Sequence, residues 1–286
     1  HRFTGAAAYL QWRPPGTERI RGTFHALETA PGLFTSPGRG SYGGFDVDDG
    51  LTCAEIGRFV ALAEDHLRER GARRLDVVLP PFCYAPERAA LVFSTLAGLG
   101  YVVERHELNQ SVALQHAELA SKGTYANRKR LNKAVREGVA AGLLKPAEYR
   151  AAYDVLAESR RKKNYTLSMS WADVAEMVAA FPADLRLFGA WHGGAMVAAA
   201  ICVVVNPRLL YVYAWGEVPG IERLSPVTAI ADAIYRHARA QGFRRLDLGT
   251  SSVQGVVNPG LFAFKKSLGA APSIKLFLSK TLTWRS

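Results

Sequence analysis

A seven-residue signature occurs twice in this chain, and that repeat limits the fold more than any other feature. Gly71-Ala72-Arg73-Arg74-Leu75-Asp76-Val77 returns 171 residues later as Gly242-Phe243-Arg244-Arg245-Leu246-Asp247-Leu248. Each copy follows an amphipathic helix, Cys53 to Arg70 in the first case and Pro226 to Gln241 in the second. Each copy reads as a short apolar strand and precedes a proline-started helix. Those helices run from Pro86 to Leu99 and from Pro259 to Leu268, and Gly100 and Gly269 close them. Proline inside the first turn and glycine just past the last are helix punctuation with a steric basis. A helix–strand–helix cassette present twice points to two copies of one α/β unit; chance similarity of short segments is the competing view.

Around the second copy, periodicity predicts helices over 146–160 and 171–181, the latter capped by Ser170. It predicts strands over 185–191, 195–205, 209–215, 243–248 and 273–283, with His192-Gly193-Gly194 turning the first pair. The first half carries strands over 18–29, 73–79 and 101–114, and a glycine-rich loop that includes Ser41 to Phe45. The segment from Ser121 to Gly138 is expected to be a helix joining the halves.

The last short helix holds an anomaly. Leu261, Phe264 and Leu268 form its apolar stripe, and Lys265 falls inside the same sector. A lysine snorkelling from the rim of a core is the plain explanation. Laid on the first copy at the same spacing, Phe264 meets Phe93 and Lys265 meets Ser94, so only the second helix carries a charge there. That asymmetry suggests a task for Lys265.

The chain has 286 residues, 49% of them hydrophobic, enough for one large core or two small ones. Its longest apolar run, Ala195 to Val205, is too short to span a bilayer and ends at Asn206-Pro207. Three scattered cysteines and seven histidines show no metal-ligand spacing, so no metal is expected, and the thiols suit a reducing, cytoplasmic setting. The net charge of +11 is concentrated: from Lys122 to Lys163 twelve basic residues face four acidic ones. Such a block implies a polyanionic partner, whether RNA, a nucleotide-linked substrate, coenzyme A or anionic lipid, unless it is only a solvated helix face.

The element order of the second unit, α-α-β-β-β-α-β-α-β, resembles the GNAT acyltransferase fold, and two copies in tandem resemble the FemAB-like aminoacyltransferases within it. Asn127-Arg128-Lys129-Arg130-Leu131-Asn132-Lys133-Ala134, ending Glu137-Gly138-Val139, is similar to the group's TR-x-N-I-x-x-A-x-x-x-G-V segment. Leu246-Asp247-Leu248-Gly249, and Gly260-Leu261 through Phe264-Lys265 to Leu268-Gly269, resemble its closing signature. The resemblance implies a mixed α/β fold with a degenerate first GNAT-like domain at 1–118, a basic connecting helix at 119–144 and a catalytic second domain at 145–286. It departs from the group at Asn127 and Arg130, which stand where threonine and asparagine are usual. The GNAT pyrophosphate loop is also missing, because Arg223-Leu224-Ser225-Pro226 occupies its place and Pro226 removes one backbone donor.

What the resemblance implies for function is N-acyl transfer from an activated ester to an amine. Lys265 is expected to stabilise the tetrahedral oxyanion or protonate the leaving group. Asp247 is a candidate base, or a structural residue like Asp76 in the other copy. Arg128 is expected to hold a diphosphate, with Asn127 and Arg130 beside it. Tyr213, Ser225, Tyr42 and Asn258 complete the candidate substrate-binding set, Tyr213 and the loop around Tyr42 being equally readable as core and turn. The donor is a co-substrate, aminoacyl-tRNA being slightly favoured over acyl-CoA, and no cofactor is expected to stay bound. The acceptor is a nucleotide-linked, cell-envelope or small-metabolite amine. A non-catalytic RNA-binding or scaffold protein on a GNAT frame is the alternative.

Overall fold

The structure, a computed structural model, describes residues 7–114, 123–162 and 167–283. The chain divides into two compact units. The first comprises residues up to Asn109, together with Ser252–Val257 and the segment from Ser273 onward. It contains strands β1 (Ala7–Trp12), β2 (Gly22–Ala30), β3 (Leu33–Ser36), β4 (Gly44–Val47), β5 (Arg74–Val78), β12 (Ser252–Val253) and β13 (Val256–Val257), and helices α1 (Cys53–Glu69) and α2 (Pro86–Gly98). Thr52 and Glu55 form a reciprocal cap at the start of α1. Ile56, Phe59, Val60, Ala63 and Leu67 recur at helical spacing and bury against Phe24, Phe34 and Phe45.

The last strand of the chain, β14 (Ala271–Thr281), pairs antiparallel with β5, with Phe277 opposite Val78 and Thr281 opposite Arg74. Glu64 on α1 receives Lys280 from β14 at 2.6 Å, a partly buried ion pair that fastens this strand to α1. The division therefore differs from the expected boundaries at both ends of the second domain. Residues from Ser273 onward join the first unit, and the second begins at Gln110. The expected connecting helix, observed as α3 (Tyr125–Arg136), belongs to the second unit, where Leu131 and Ala134 pack into its core. Residues 115–122 of the expected joining region lie outside the described residues.

In the second unit the sheet follows the order β6-β11-β10-β9-β8-β7, with the end of β6 (Val102–Ala113) contributing its first strand. The others are β7 (Ala140–Leu143), β8 (Leu185–His192), β9 (Ala195–Asn206), β10 (Leu209–Glu217) and β11 (Arg245–Thr250). The β8–β9 hairpin turns at Gly193-Gly194, both at positive φ, as the sequence predicts. Helix α4 (Tyr149–Lys162) packs on one core with α5 (Trp171–Ala180). Helix α6 (Pro226–Ala240) fills the other, and α7 (Pro259–Ser267) follows β11. Strands β10 and β11 pair parallel over Leu209–Arg245, Leu210–Leu246 and Tyr211–Asp247. Past Tyr211 no ladder pair joins the two strands among the described residues.

The internal repeat is a repeat of hydrogen bonds. Gly71 N–H donates to Arg68 O and Ala72 N–H to Leu67 O, while Arg73 and Arg74 both donate to Gly32 O. In the second unit Gly242 donates to Arg239 O and Phe243 to Ala238 O, while Arg244 and Arg245 both donate to Arg208 O. Gly71 and Gly242 share a left-handed φ of 83° and 77°, a region closed to most side chains. The ends of α2 and α7 match in the same way. Gly100 donates to Ala97 O and Tyr101 to Leu96 O; Gly269 donates to Lys266 O and Ala270 to Lys265 O. This places Lys265 opposite Leu96, which is fully buried. The Ser94 equivalence expected from constant spacing is thereby corrected: α2 has thirteen residues against nine in α7, so the stretch from Gly71 to Gly100 is two residues longer than that from Gly242 to Gly269, and Ser94 itself is exposed.

Candidate active site

Helix α7 begins at Asn258, whose side-chain oxygen accepts the N–H of Leu261 at 3.0 Å, and whose own N–H donates to Ser251 O at 2.8 Å. Pro259 sits at the first helical position, where a missing N–H costs nothing. Of the expected stripe, Leu268 is buried, while Leu261 and Phe264 are half-buried. Phe264 packs edge-on against Trp215 with ring centroids 5.5 Å apart. Lys265 is more buried than either, at 2% exposure. It does not snorkel.

Its amine Nζ donates to Gly249 O at 3.0 Å and to Thr250 O at 2.7 Å. Successive carbonyls of an extended strand point to opposite sides. These two converge on one amine because Gly249 turns the chain with φ of 76°. A Cβ at Gly249 would also meet the Tyr211 ring at 3.4 Å. The Asp247 carboxylate, 1% exposed, accepts the Gly249 N–H at 2.8 Å and holds this turn from the other side. Lys265 thus caps the strand end where β11 has parted from β10.

Burial drives the Lys265 pKa down from 10.5 to about 7; attraction to Asp247 opposes the fall and repulsion from Arg160 adds to it. Both protonation states are therefore accessible near neutrality. The neutral amine satisfies both carbonyls with its two hydrogens and keeps a lone pair. The ammonium keeps a third hydrogen, which has no acceptor among the described residues. A fixed amine that can give or take one proton at pH 7 is suited to acyl transfer.

A family profile described as an acetyltransferase (GNAT) domain matches residues 124–266, half of the chain, and includes this whole arrangement. The chain belongs to the GNAT family. It is an acyltransferase. Among solved structures it resembles FemX at 12% identity and a TM-score of 0.74, covering 97% of this chain and 88% of that one. The C-terminal domain of a putative lysylphosphatidylglycerol synthetase from Agrobacterium fabrum matches at 14% identity and a TM-score of 0.62, over 91% and 81% of the two chains. A tandem GNAT protein from the clavulanic acid biosynthesis pathway matches at 17% and 0.56, over 98% and 85%. These likenesses establish a FemX-like fold with two GNAT-like units. No curated protein sequence matches the chain.

Within this GNAT frame the remaining candidates fall into separate groups. Asn127 lies on the first turn of α3, which Thr124 caps; the Thr124 N–H in turn donates to Ser267 O at the end of α7. The Asn127 carboxamide is 1% exposed, yet among the described residues neither its oxygen nor its nitrogen has a hydrogen-bond partner. Each orphaned group costs about 1–3 kcal/mol. Asn127→Leu is accordingly expected to stabilise the protein by about 1–2 kcal/mol, read as a higher urea midpoint with an unchanged slope. Arg128 donates to Gly123 O at 2.9 Å, and Arg130 is exposed.

Ser225 stands at the start of α6 with φ of 54°, its side chain capping no N–H, and Pro226 follows. Tyr213 is half-buried on β10, its hydroxyl bonded to Ser168 and its ring edge-on to Tyr211. Tyr42 belongs to the first unit, where its ring meets Tyr84 at 5.4 Å. Lys265 and Asp247 thus meet at the Gly249 turn, and Asn258 caps the helix that carries Lys265. Sequence reasoning missed the buried residues behind that lysine, Gln110 and Ser251. Among the described residues no group of histidine, cysteine or carboxylate side chains is arranged to hold a metal, and no helix is long and apolar enough to cross a membrane.

Proposed function

We propose that this GNAT protein transfers an aminoacyl group from aminoacyl-tRNA to the amine of a nucleotide-linked or cell-envelope acceptor. The observation that carries the reading is the buried Lys265 amine, anchored by two carbonyls with one position left for a proton. The acceptor amine attacks the ester carbonyl and forms a tetrahedral oxyanion. The third N–H of the Lys265 ammonium meets the developing charge and passes its proton to the departing ribose hydroxyl. The proton shed by the attacking amine restores the ammonium. Throughout, Gly249 O and Thr250 O retain the other two hydrogens, so the amine does not have to move. Asp247 serves by fixing the Gly249 turn and by raising the proton affinity of Lys265 against the effect of burial.

Support for an RNA donor comes from α3, which has five cations and no acid in twelve residues. Tyr125, Lys129, Asn132 and Arg136 lie one above another on its exposed ridge. The Tyr125 ring, 64% exposed, has the Lys129 ammonium 4.8 Å and the Arg128 guanidinium 5.9 Å from its centroid. An aromatic platform beside cations suits an unpaired nucleotide, base on ring and phosphate on charge. Arg128, Asn127 and Arg130 on the same first turns are assigned to a diphosphate-bearing substrate, with Ser225, Tyr213, Asn258 and Tyr42 as further substrate contacts. Charge reversal at Lys129, Arg130 and Arg136 is expected to weaken tRNA binding and to flatten its salt dependence by roughly 0.7–0.9 for each phosphate that is no longer neutralised. Tyr125→Ala is expected to cost about 1–3 kcal/mol of binding. Gel-shift titration at several salt concentrations reads both; equal binding by all variants would remove tRNA from the account.

The second reading takes acyl-CoA as donor. It is favoured by the edge of β10 beyond Tyr211, which β11 leaves unpaired and to which an extended amide-bearing chain can add as a strand. Against it stands Pro226, which withholds a backbone donor at the start of α6. A thermal-shift comparison of charged tRNA, acetyl-CoA and UDP-linked amino sugars separates the donors. Stabilisation by acetyl-CoA alone would reverse their order.

A further inference from the structure

Behind the Lys265 amine lies a side chain whose two ends reach both of the pieces that hold it. Gln110, the first residue of the second unit, is fully buried near the end of β6. Its oxygen accepts the hydroxyl hydrogen of Ser251 at 2.6 Å, and its nitrogen donates to Phe262 O at 3.3 Å. Ser251 directly follows Thr250, one of the two carbonyls on the amine. Phe262 lies one helical turn before Lys265 on α7. Ser251 O also accepts the N–H of Asn258, which caps that helix. The loop and the helix are therefore tied twice, once by backbone and once through Gln110. Ser111, next along β6, is buried as well, and there its hydroxyl accepts from Arg245 at 2.9 Å.

We propose that Gln110 is a positioning residue for Lys265: its carboxamide binds the strand end that supplies the acceptor carbonyls to the helix that supplies the amine, so that the two are held as one piece. The inference rests on the reading of Lys265 as the reacting amine. The chemistry needs that rigidity. An amine with two fixed acceptors has one direction left for its lone pair or third hydrogen, and that direction is defined only while α7 and the Gly249–Ser251 turn keep their register. A carboxamide offers a donor and an acceptor at opposite sides of its tip without carrying or gaining a charge. A charged residue in this place would act directly on Lys265, whose proton affinity already answers to Asp247 and Arg160.

The test reads the amine itself. In protein labelled with ¹⁵N- and ¹³C-lysine, the Lys265 signal is assigned by its loss in Lys265→Met and followed from pH 5.5 to 10. Gln110→Met keeps the volume and removes both hydrogen bonds; Gln110→Ala removes both bonds and the volume. The clamp predicts that the Lys265 midpoint moves upward by about one pH unit or more in both variants, as the loosened amine gains water. A methionine variant that folds and titrates like the wild type shows that Gln110 only fills space, and overturns the proposal. If either variant fails to fold, Ser251→Ala, which removes the loop-side bond alone, is read the same way: an upward move supports the clamp and an unchanged midpoint overturns it. This titration needs no substrate. It therefore stands or falls separately from the catalytic reading of Lys265, which turnover of the Lys265 variants decides.

Discussion

Lys265→Met lowers acyl transfer by at least about 100-fold, the usual consequence of removing one donor aimed at an oxyanion, while the protein still folds cooperatively. The reaction is followed as deacylated tRNA, or as free thiol if the donor is a thioester. Methionine has nearly the length of the lysine stem and occupies the same slot, so the loss reports on the amine rather than on a cavity. The Gly249 and Thr250 carbonyls lose their partner in this variant, and some stability is lost with it. The non-catalytic alternative makes the opposite claim. On a binding scaffold, Lys265→Met leaves tRNA affinity unchanged and there is no turnover to lose.

The second large effect concerns stability. Lys265 stands where the first unit has Leu96, so Lys265→Leu puts the other copy's residue into the second. Below pH 7 the folded and unfolded chains both carry the ammonium, and the folded chain bears the full cost of burying it. Between about 7 and 10.5 the unfolded chain holds a proton that the folded chain has released. Stability of the wild type therefore rises with pH through that window, by up to about 1.4 kcal/mol per pH unit from this group. Leucine does not titrate. From pH 7.5 to 9.5 the wild type is expected to gain about 2–3 kcal/mol on Lys265→Leu in paired urea melts. Curves that stay parallel over that range would mean that the amine is solvated in the folded protein.

The repeat was legible in the sequence because its signals are local. Gly71 and Gly242 must reach a left-handed φ, and Pro86 and Pro259 start their helices without a donor. Lys265 was legible as a polar residue on an apolar stripe, although its partner in the first copy was not. Finding Leu96 required the hydrogen bonds at the helix ends, since α2 is longer than α7 and breaks the constant spacing. Strands β1, β3, β4 and β7 escaped the sequence reading; the last three have four residues each, too few for alternation to show. The pairing of β14 with β5 brings together residues about 200 positions apart, and nothing in its local pattern names its partner. Gln110 was invisible for the same reason. Its partners, Ser251 and Phe262, are more than 140 residues away, and a glutamine within a strand carries no signal until they arrive.

Catalysis here depends on a lysine that is buried, doubly held and close to neutrality in its proton affinity. The most direct measurement is the pH titration of the Lys265 amine in the unliganded wild-type protein, by NMR of labelled lysine. A midpoint near 7 is the predicted result. A midpoint near 10.5, the value of a lysine in water, would contradict it.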